Sequence, residues 1–373
     1  MSKKFNIFLT ILFCAFIGGM GVISLLLPDK DFSELENRYL QKPPKLSLET
    51  LSSGKFMEDA EDYVADHILG RDFWVAAKAW SERLSGKQEN NGVYFGKQDT
   101  LINRVDAPDP DKLEKDMGYL DALVGNVDVP VYFGLIPSAA EIWADRLPKG
   151  APTADEKAII DQLYFSTGAS TIDLYGALEA HSDEDIYYRT DHHWTSLGAF
   201  YGANAICDAL GLEPLDLNNY QKTTVTDQFY GTSFSTSGVR WLPPDSIDTY
   251  VPGEGVEVTS WFNGSPQEGS LYVDSKLEVK DKYAYFLGGN QPLCVIESEK
   301  APDGPKALII RDSYSDSLAP FLTQRFSELH LYDLRYNLKS VKDYVEENDI
   351  DTVIVLYSFA NFSTDDNLFL LGR

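Results

Sequence analysis

Three short apolar runs, each breaking off at a polar turn, constrain this chain more than any other feature of it. Val129–Ile136 stops at Pro137, Ala307–Ile310 stops before Arg311-Asp312-Ser313, and Thr352–Tyr357 ends just ahead of Asn361. Runs of this length read as strands buried on both faces, the kind found inside a parallel sheet. Between and around them the spacing is helical over 112–124, 154–167, 195–210, 315–326 and 341–347, with shorter strand signals at 171–174 and 329–331. Such alternation predicts an α/β fold, a parallel sheet flanked by helices. Thr153 and Glu156 are spaced as a capping box for the helix from 154, and Thr190 or Asp191 as a cap for the helix from 195. Residues 215–300, rich in Tyr, Thr, Ser, Gly and Val, interrupt the alternation and read as an inserted β-rich excursion.

The N-terminal region has its own character. Lys3 and Lys4 precede Phe5–Leu27, which carries no charge and is closed by Pro28 and Asp29. That is long enough to cross a bilayer as a helix, and the lysines set the N-terminus inside with everything after Pro28 outside. Its end, Val22-Ile-Ser-Leu-Leu-Leu27, offers no small-x-small cleavage site, and Cys14 lacks the small residue a lipoprotein signal places before its cysteine. The expectation is an uncleaved, single-pass anchor in the cell membrane with an extracytoplasmic domain. Residues 28–50, with Pro43 and Pro44, read as a stalk; 51–105 as an appendage, helical to Leu84 and then a short strand and turn bracketed by Gly92 and Gly96; and 106–373 as the main domain.

The 58 acidic against 32 basic residues, a net charge of -26, argue against a nucleic-acid partner, whose phosphates reward Lys and Arg. Beyond Cys14, Cys207 and Cys294 read as buried free thiols in preference to a disulfide pair. No CxxC or Cys/His cluster suggests zinc, and no cofactor is expected.

Ligands of open α/β sheets bind beyond the C-terminal strand ends, and three segments belong there. In ALIIRDSYSDSLAPFL a strand stops, Ser313 follows and a helix opens; such a serine is either a nucleophile or simply a helix cap. In YRTDHHWT, Asp191 and His193 stand two apart, close enough to meet through a local turn as base and orienter. A metal set of Asp191, His192 and His193 with Asp173 or His181 carries less weight, because adjacent histidines point apart and neither HxH nor HxxxH occurs. In TVIVLYSFANF, Asn361 follows a buried strand and is either an oxyanion donor or a turn residue. Ser233, in YGTSFS, resembles a nucleophile turn but lacks a strand before it and a helical run after it.

These motifs resemble the bacterial DHHW family, and are similar to alginate and peptidoglycan O-acetylation proteins with a circularly permuted SGNH-hydrolase-like fold. The likeness runs through FSELENRYL, DHILGRDFW, NNGVYFGK, VPVYFGLIPSAAEIWADRLP, IDLYGAL, YYRTDHHWT, FLGGNQP, IIRDSYSD and VIVLYSFANF in that order. The resemblance implies Ser313 as nucleophile, His193 as general base and Asp191 as its orienter. It implies Asn361, or more weakly Gly289 and Asn290, at the oxyanion or substrate, with His192, Trp194 and Asp312 in support. The order Asp-His before Ser fits the permutation. Arg311 stands where ordinary SGNH enzymes have Gly, and Ser138-Ala139 where relatives often carry a charge. The implied function is a serine O-acetyltransferase or carbohydrate esterase, acting on a cell-envelope polysaccharide or exopolysaccharide. A membrane-bound O-acyltransferase would supply the acyl group. The alternative is a non-catalytic glycan-binding or assembly protein on the same fold.

Overall fold

A computed structural model describes residues 3–262 and 264–373, in two compact units. The first comprises residues up to Asn90 together with Ser235–Trp241. Its helix α1 (Lys3–Leu26) is, among the described residues, the one helix long and apolar enough to cross a bilayer, and none of its side chains is buried. The 51–84 region divides into Leu48–Ser52, α2 (Lys55–His67) and α3 (Arg71–Leu84), because Gly54 and Gly70 take left-handed backbone at the breaks. Within residues 28–50, Phe32–Ser33 pairs antiparallel with Arg38–Tyr39. Asp66 holds this hairpin, accepting from Arg38 Nη1 at 2.9 Å and the Gln41 amide at 2.8 Å.

The second unit, residues 91–234 and 242–373, contains the sheet. Its strands are β1 (Val131–Ile136), β2 (Ser170–Thr171), β3 (Val256–Ser260), β4 (Gln267–Glu268), β5 (Leu293–Ser298), β6 (Lys306–Arg311), β7 (Glu328–Tyr332) and β8 (Thr352–Ser358). Their spatial order is β4-β3-β5-β7-β6-β8-β1-β2. From β7 through β2 every pairing is parallel, whereas β5, β3 and β4 extend the β7 side antiparallel. The excursion therefore gives three strands to the main sheet, and a separate hairpin of Thr223–Phe229 against Asp245–Thr249. Residues 307–310 and 353–357 are completely buried, as both-sided cover requires.

Helices α4 (Pro110–Asn126), α5 (Glu156–Ser166), α6 (Leu174–Glu179), α7 (Ser196–Leu210), α8 (Tyr314–Leu322) and α9 (Val341–Glu347) complete the alternation. Three local expectations are corrected. The α5 cap is Asp155, whose carboxylate accepts from the Ala158 amide, while the Glu156 side chain turns inward to Ser138. The α7 cap is Thr195, since Asp191 and Thr190 are engaged elsewhere. The strand expected over 171–174 ends at Thr171, because Asp173 caps α6 from Leu174.

Candidate active site

Strands β6, β8 and β1 are adjacent and parallel, so their C-terminal ends open onto one edge of the sheet. Ser313 stands at that edge, two residues past β6, in right-handed helical conformation and half-buried. Its side chain makes no capping bond to α8. Its Oγ lies instead 2.7 Å from His193 Nε2.

His193 reaches this point from a turn held by Asp191. Asp191 Oδ1 accepts from the His193 amide at 3.0 Å and lies 2.5 Å from His193 Nδ1; Oδ2 accepts from the Thr232 amide at 2.7 Å and faces Thr232 Oγ1 at 3.0 Å. A carboxylate only accepts, so His193 carries its proton on Nδ1 and turns a bare Nε2 to the Ser313 hydroxyl. Burial by itself would raise the Asp191 pKa. The His192 and His193 imidazoles, the His193 hydrogen bond and the Thr232 amide outweigh it and hold the carboxyl well below the usual carboxylate range. Gly231 permits this closeness, since a Cβ there would overlap the Asp191 side chain.

The same proton count fixes His192. Thr232 Oγ1 has one proton, which goes to Asp191 Oδ2, so His192 Nδ1, 2.6 Å from that oxygen, must donate. Burial in the site, then the neighbouring His193, push the His192 pKa down to about 4, leaving a neutral ring with Nε2 unprotonated. The Tyr314 hydroxyl donates to the His192 carbonyl, and Trp194, fully buried, donates its indole N–H to the Tyr314 carbonyl at 3.0 Å and Ser317 Oγ at 3.1 Å.

Below the serine, Asp312 is a second carboxylate hub. Its Oδ1 accepts from the Tyr314 amide at 3.0 Å; its Oδ2 accepts from the Ser358 amide at 2.8 Å, Ser358 Oγ at 2.7 Å and Asn361 Nδ2 at 2.8 Å. Asn361 is thus at the serine's edge with one amide N–H bound to Asp312 and the second left over. The Ser313 amide has no hydrogen-bond partner among the described residues. Arg311 is completely buried beneath the turn, 2.9 Å from Asp316, which burial pushes up to about 6 against the pull of Arg311. Gly289 is half-buried in a left-handed turn and Asn290 is exposed.

Several expected residues lie elsewhere. Ser233 is buried and its Oγ meets Asn103 at 2.9 Å. Asp173 caps α6, and His181 pairs with Glu184 and stacks on Tyr201. Asp191, His192 and His193 do bring ligand atoms within 4.8 Å of one another, but both His193 nitrogens and His192 Nδ1 are already hydrogen-bonded. Cys207 and Cys294 are buried free thiols, pushed up by burial to about 11 and about 12. Two site residues carried no sequence signal. Thr232 is 41 residues from Asp191, and Tyr283, stacked flat on the His193 ring, comes from late in the excursion.

A mostly parallel sheet with an Asp-His-Ser array at its strand ends defines an SGNH-hydrolase-like α/β protein. A profile described as "DHHW protein" matches residues 125–332, more than half the chain. The chain belongs to the DHHW family. A DHHW family protein of known structure from Eubacterium siraeum is 25% identical, over 76% of this chain and 95% of its own, with a TM-score of 0.66. PatB1 from Bacillus cereus, solved with a sulfonyl adduct, is 22% identical over 74% of this chain and 99% of its own, with a TM-score of 0.60, and shares the fold. A curated relative, "Probable alginate O-acetylase AlgJ" from Pseudomonas putida, is 22% identical over 188 residues, 48% of this chain; the chain covers 43% of that relative's length.

Proposed function

We propose that this protein is an extracytoplasmic serine O-acyltransferase or esterase acting on a cell-envelope polysaccharide or exopolysaccharide. The observation that carries the reading is the continuous array from Asp191 through His193 to Ser313 Oγ, with a carboxyl held well below the usual carboxylate range at its far end. In this reading the Ser313 proton passes to His193 Nε2 as Oγ attacks an acyl carbonyl. Asp191 offsets the imidazolium charge. The donor's acyl C–O bond then breaks, and its leaving oxygen takes the proton back. In the second half, an acceptor hydroxyl gives its proton to His193 and attacks the Ser313 ester. The C–Oγ bond breaks and the serine regains its proton. In this reading the free Ser313 amide and the second Asn361 N–H serve as the donors to the developing oxyanion.

The acceptor class rests on the relative described as an alginate O-acetylase. The donor is an acyl group delivered by a membrane-bound O-acyltransferase, with α1 as a retained anchor tying the chain to the membrane. The test is hydrolysis of a nitrophenyl acetate by the detergent-solubilised full chain, alongside Ser313→Ala and His193→Ala. Both variants should fall to the uncatalysed rate. Equal rates for all three proteins would reduce the chain to a glycan-binding or assembly protein.

A further inference from the structure

Tyr283 lies in the short turn Lys282–Tyr285, inside the β-rich excursion. Its ring is stacked on the His193 imidazole, centroids 3.8 Å apart and planes within 10°. Its hydroxyl is 3.2 Å from the Ser313 carbonyl oxygen and 3.0 Å from Ser317 Oγ. One buried side chain therefore touches both the imidazole and the backbone of the serine it faces.

Proton counting gives this contact a direction. The Trp194 indole N–H can only donate, and it points at Ser317 Oγ. The Ser313 carbonyl can only accept, so the Tyr283 hydroxyl donates to it and accepts from Ser317. The chain runs Trp194 to Ser317 to Tyr283 to Ser313, tying the motif's tryptophan to the serine turn. Burial pushes the Tyr283 phenol well above its ordinary value, so it keeps its proton throughout the working pH range.

We infer that Tyr283 is a positioning residue of the acyl transfer: its ring fixes the plane of His193 and stabilises the imidazolium, and its hydroxyl holds the serine turn. The inference rests on the proposed reading in which His193 is the base. His193 is nearly closed off from water, so the charge it takes up has little hydration to rely on. The other ionisable groups around it are Asp191, His192, Tyr314, Asp281 and Asp316. Asp191 meets the ring at its edge, through Nδ1. Tyr283 covers its face, presenting the electron-rich face of its own ring, which attracts a cation, and blocking rotation of the imidazole away from Ser313.

The test uses the full chain with histidine labelled at Cε1 and follows the five imidazoles by NMR through a pH titration, His193 being assigned from His193→Gln. Tyr283→Leu keeps an apolar side chain and removes the ring; the His193 midpoint should fall by roughly 0.5–1 unit. Tyr283→Phe keeps the ring, so the midpoint should stay, while nitrophenyl acetate kcat drops by about threefold with KM unchanged, through loss of the Ser313 bond. An unmoved midpoint in the leucine variant overturns the stacking role. An unchanged kcat in the phenylalanine variant overturns the hydroxyl's role, and that arm decides alone if the leucine variant does not fold. If Ser313→Ala keeps full activity, the acyl-transfer reading fails instead, and the titration still reports what the ring does to the imidazole.

Discussion

Asp191 and Glu156 are equally hidden from water, at 3% and 0% exposure, yet their carboxyls are pushed in opposite directions. Glu156 sits under the end of β1, where it accepts only from the Ser138 amide at 2.8 Å and the Ser138 hydroxyl, with Glu141 close by. Burial wins, and its pKa rises to about 7. Asp191 has twice as many donors and two imidazoles, and its pKa falls. The surrounding donors, more than the depth of burial, decide which acid stays charged. Of the two, only Asp191 offers a charged partner to an imidazole.

Between the carboxylates, the largest effect should come from giving Asp191 no charge at all. Asp191→Asn removes the charge and can present an N–H to His193 Nδ1, inverting the tautomer, so kcat should drop by about 10⁴; the same amide faces the His193 backbone N–H, which costs about 1–3 kcal/mol in stability besides. A drop under tenfold would mean that the carboxylate matters only for packing. Next comes Asp312→Ala, which strands two amides, a hydroxyl and the Asn361 side chain without their acceptor. It should destabilise the fold by about 3–5 kcal/mol in denaturant titration.

Glu156→Gln sharpens the contrast directly. A folded pKa of about 7, above the unfolded value, means stability that is full below the unfolded pKa and lost as pH rises through 7. The loss across that window is of the order of 3 kcal/mol, and the glutamine variant should flatten it in melting curves taken from pH 4.5 to 8. A slope identical to the parent's would show that the carboxyl is ionised throughout. Smallest is Gly231→Ala, whose methyl must displace Asp191: about 1–2 kcal/mol of stability, with an activity loss larger than that cost explains.

The sheet was legible because β1, β6 and β8 each carry an apolar run, and α9 occupies the predicted 341–347 because Ser340 caps it locally. The misread starts share a cause. Glu156 fits a capping box until Ser138, 18 residues away, claims its carboxylate. Asp191 is a fair cap until Thr232 and His193 use all its lone pairs. The DHHW run announced one half of the site through local spacing, and Ser313 the other through its strand-to-helix turn. Thr232 and Tyr283 are brought in by long-range packing of the excursion, and nothing in YGTSFS or DKYAYF marks them. The excursion's own strands were foreseen as β-rich, but not that three of them join the main sheet, because an edge strand takes its partner from tertiary context.

The strand order carries a consequence for how the chain is made. Of the eight sheet strands β8 comes last in sequence, yet it is central: it joins β6 to β1, pairing Val353 with Val131 across 222 positions of chain. No nascent intermediate lacking it can hold the two halves of the sheet together. His193 also waits 120 residues for Ser313. Pairings so distant in sequence close slowly and late. The contact between His193 and Ser313 should therefore form in one terminal, cooperative step, after most of the polypeptide has been synthesised.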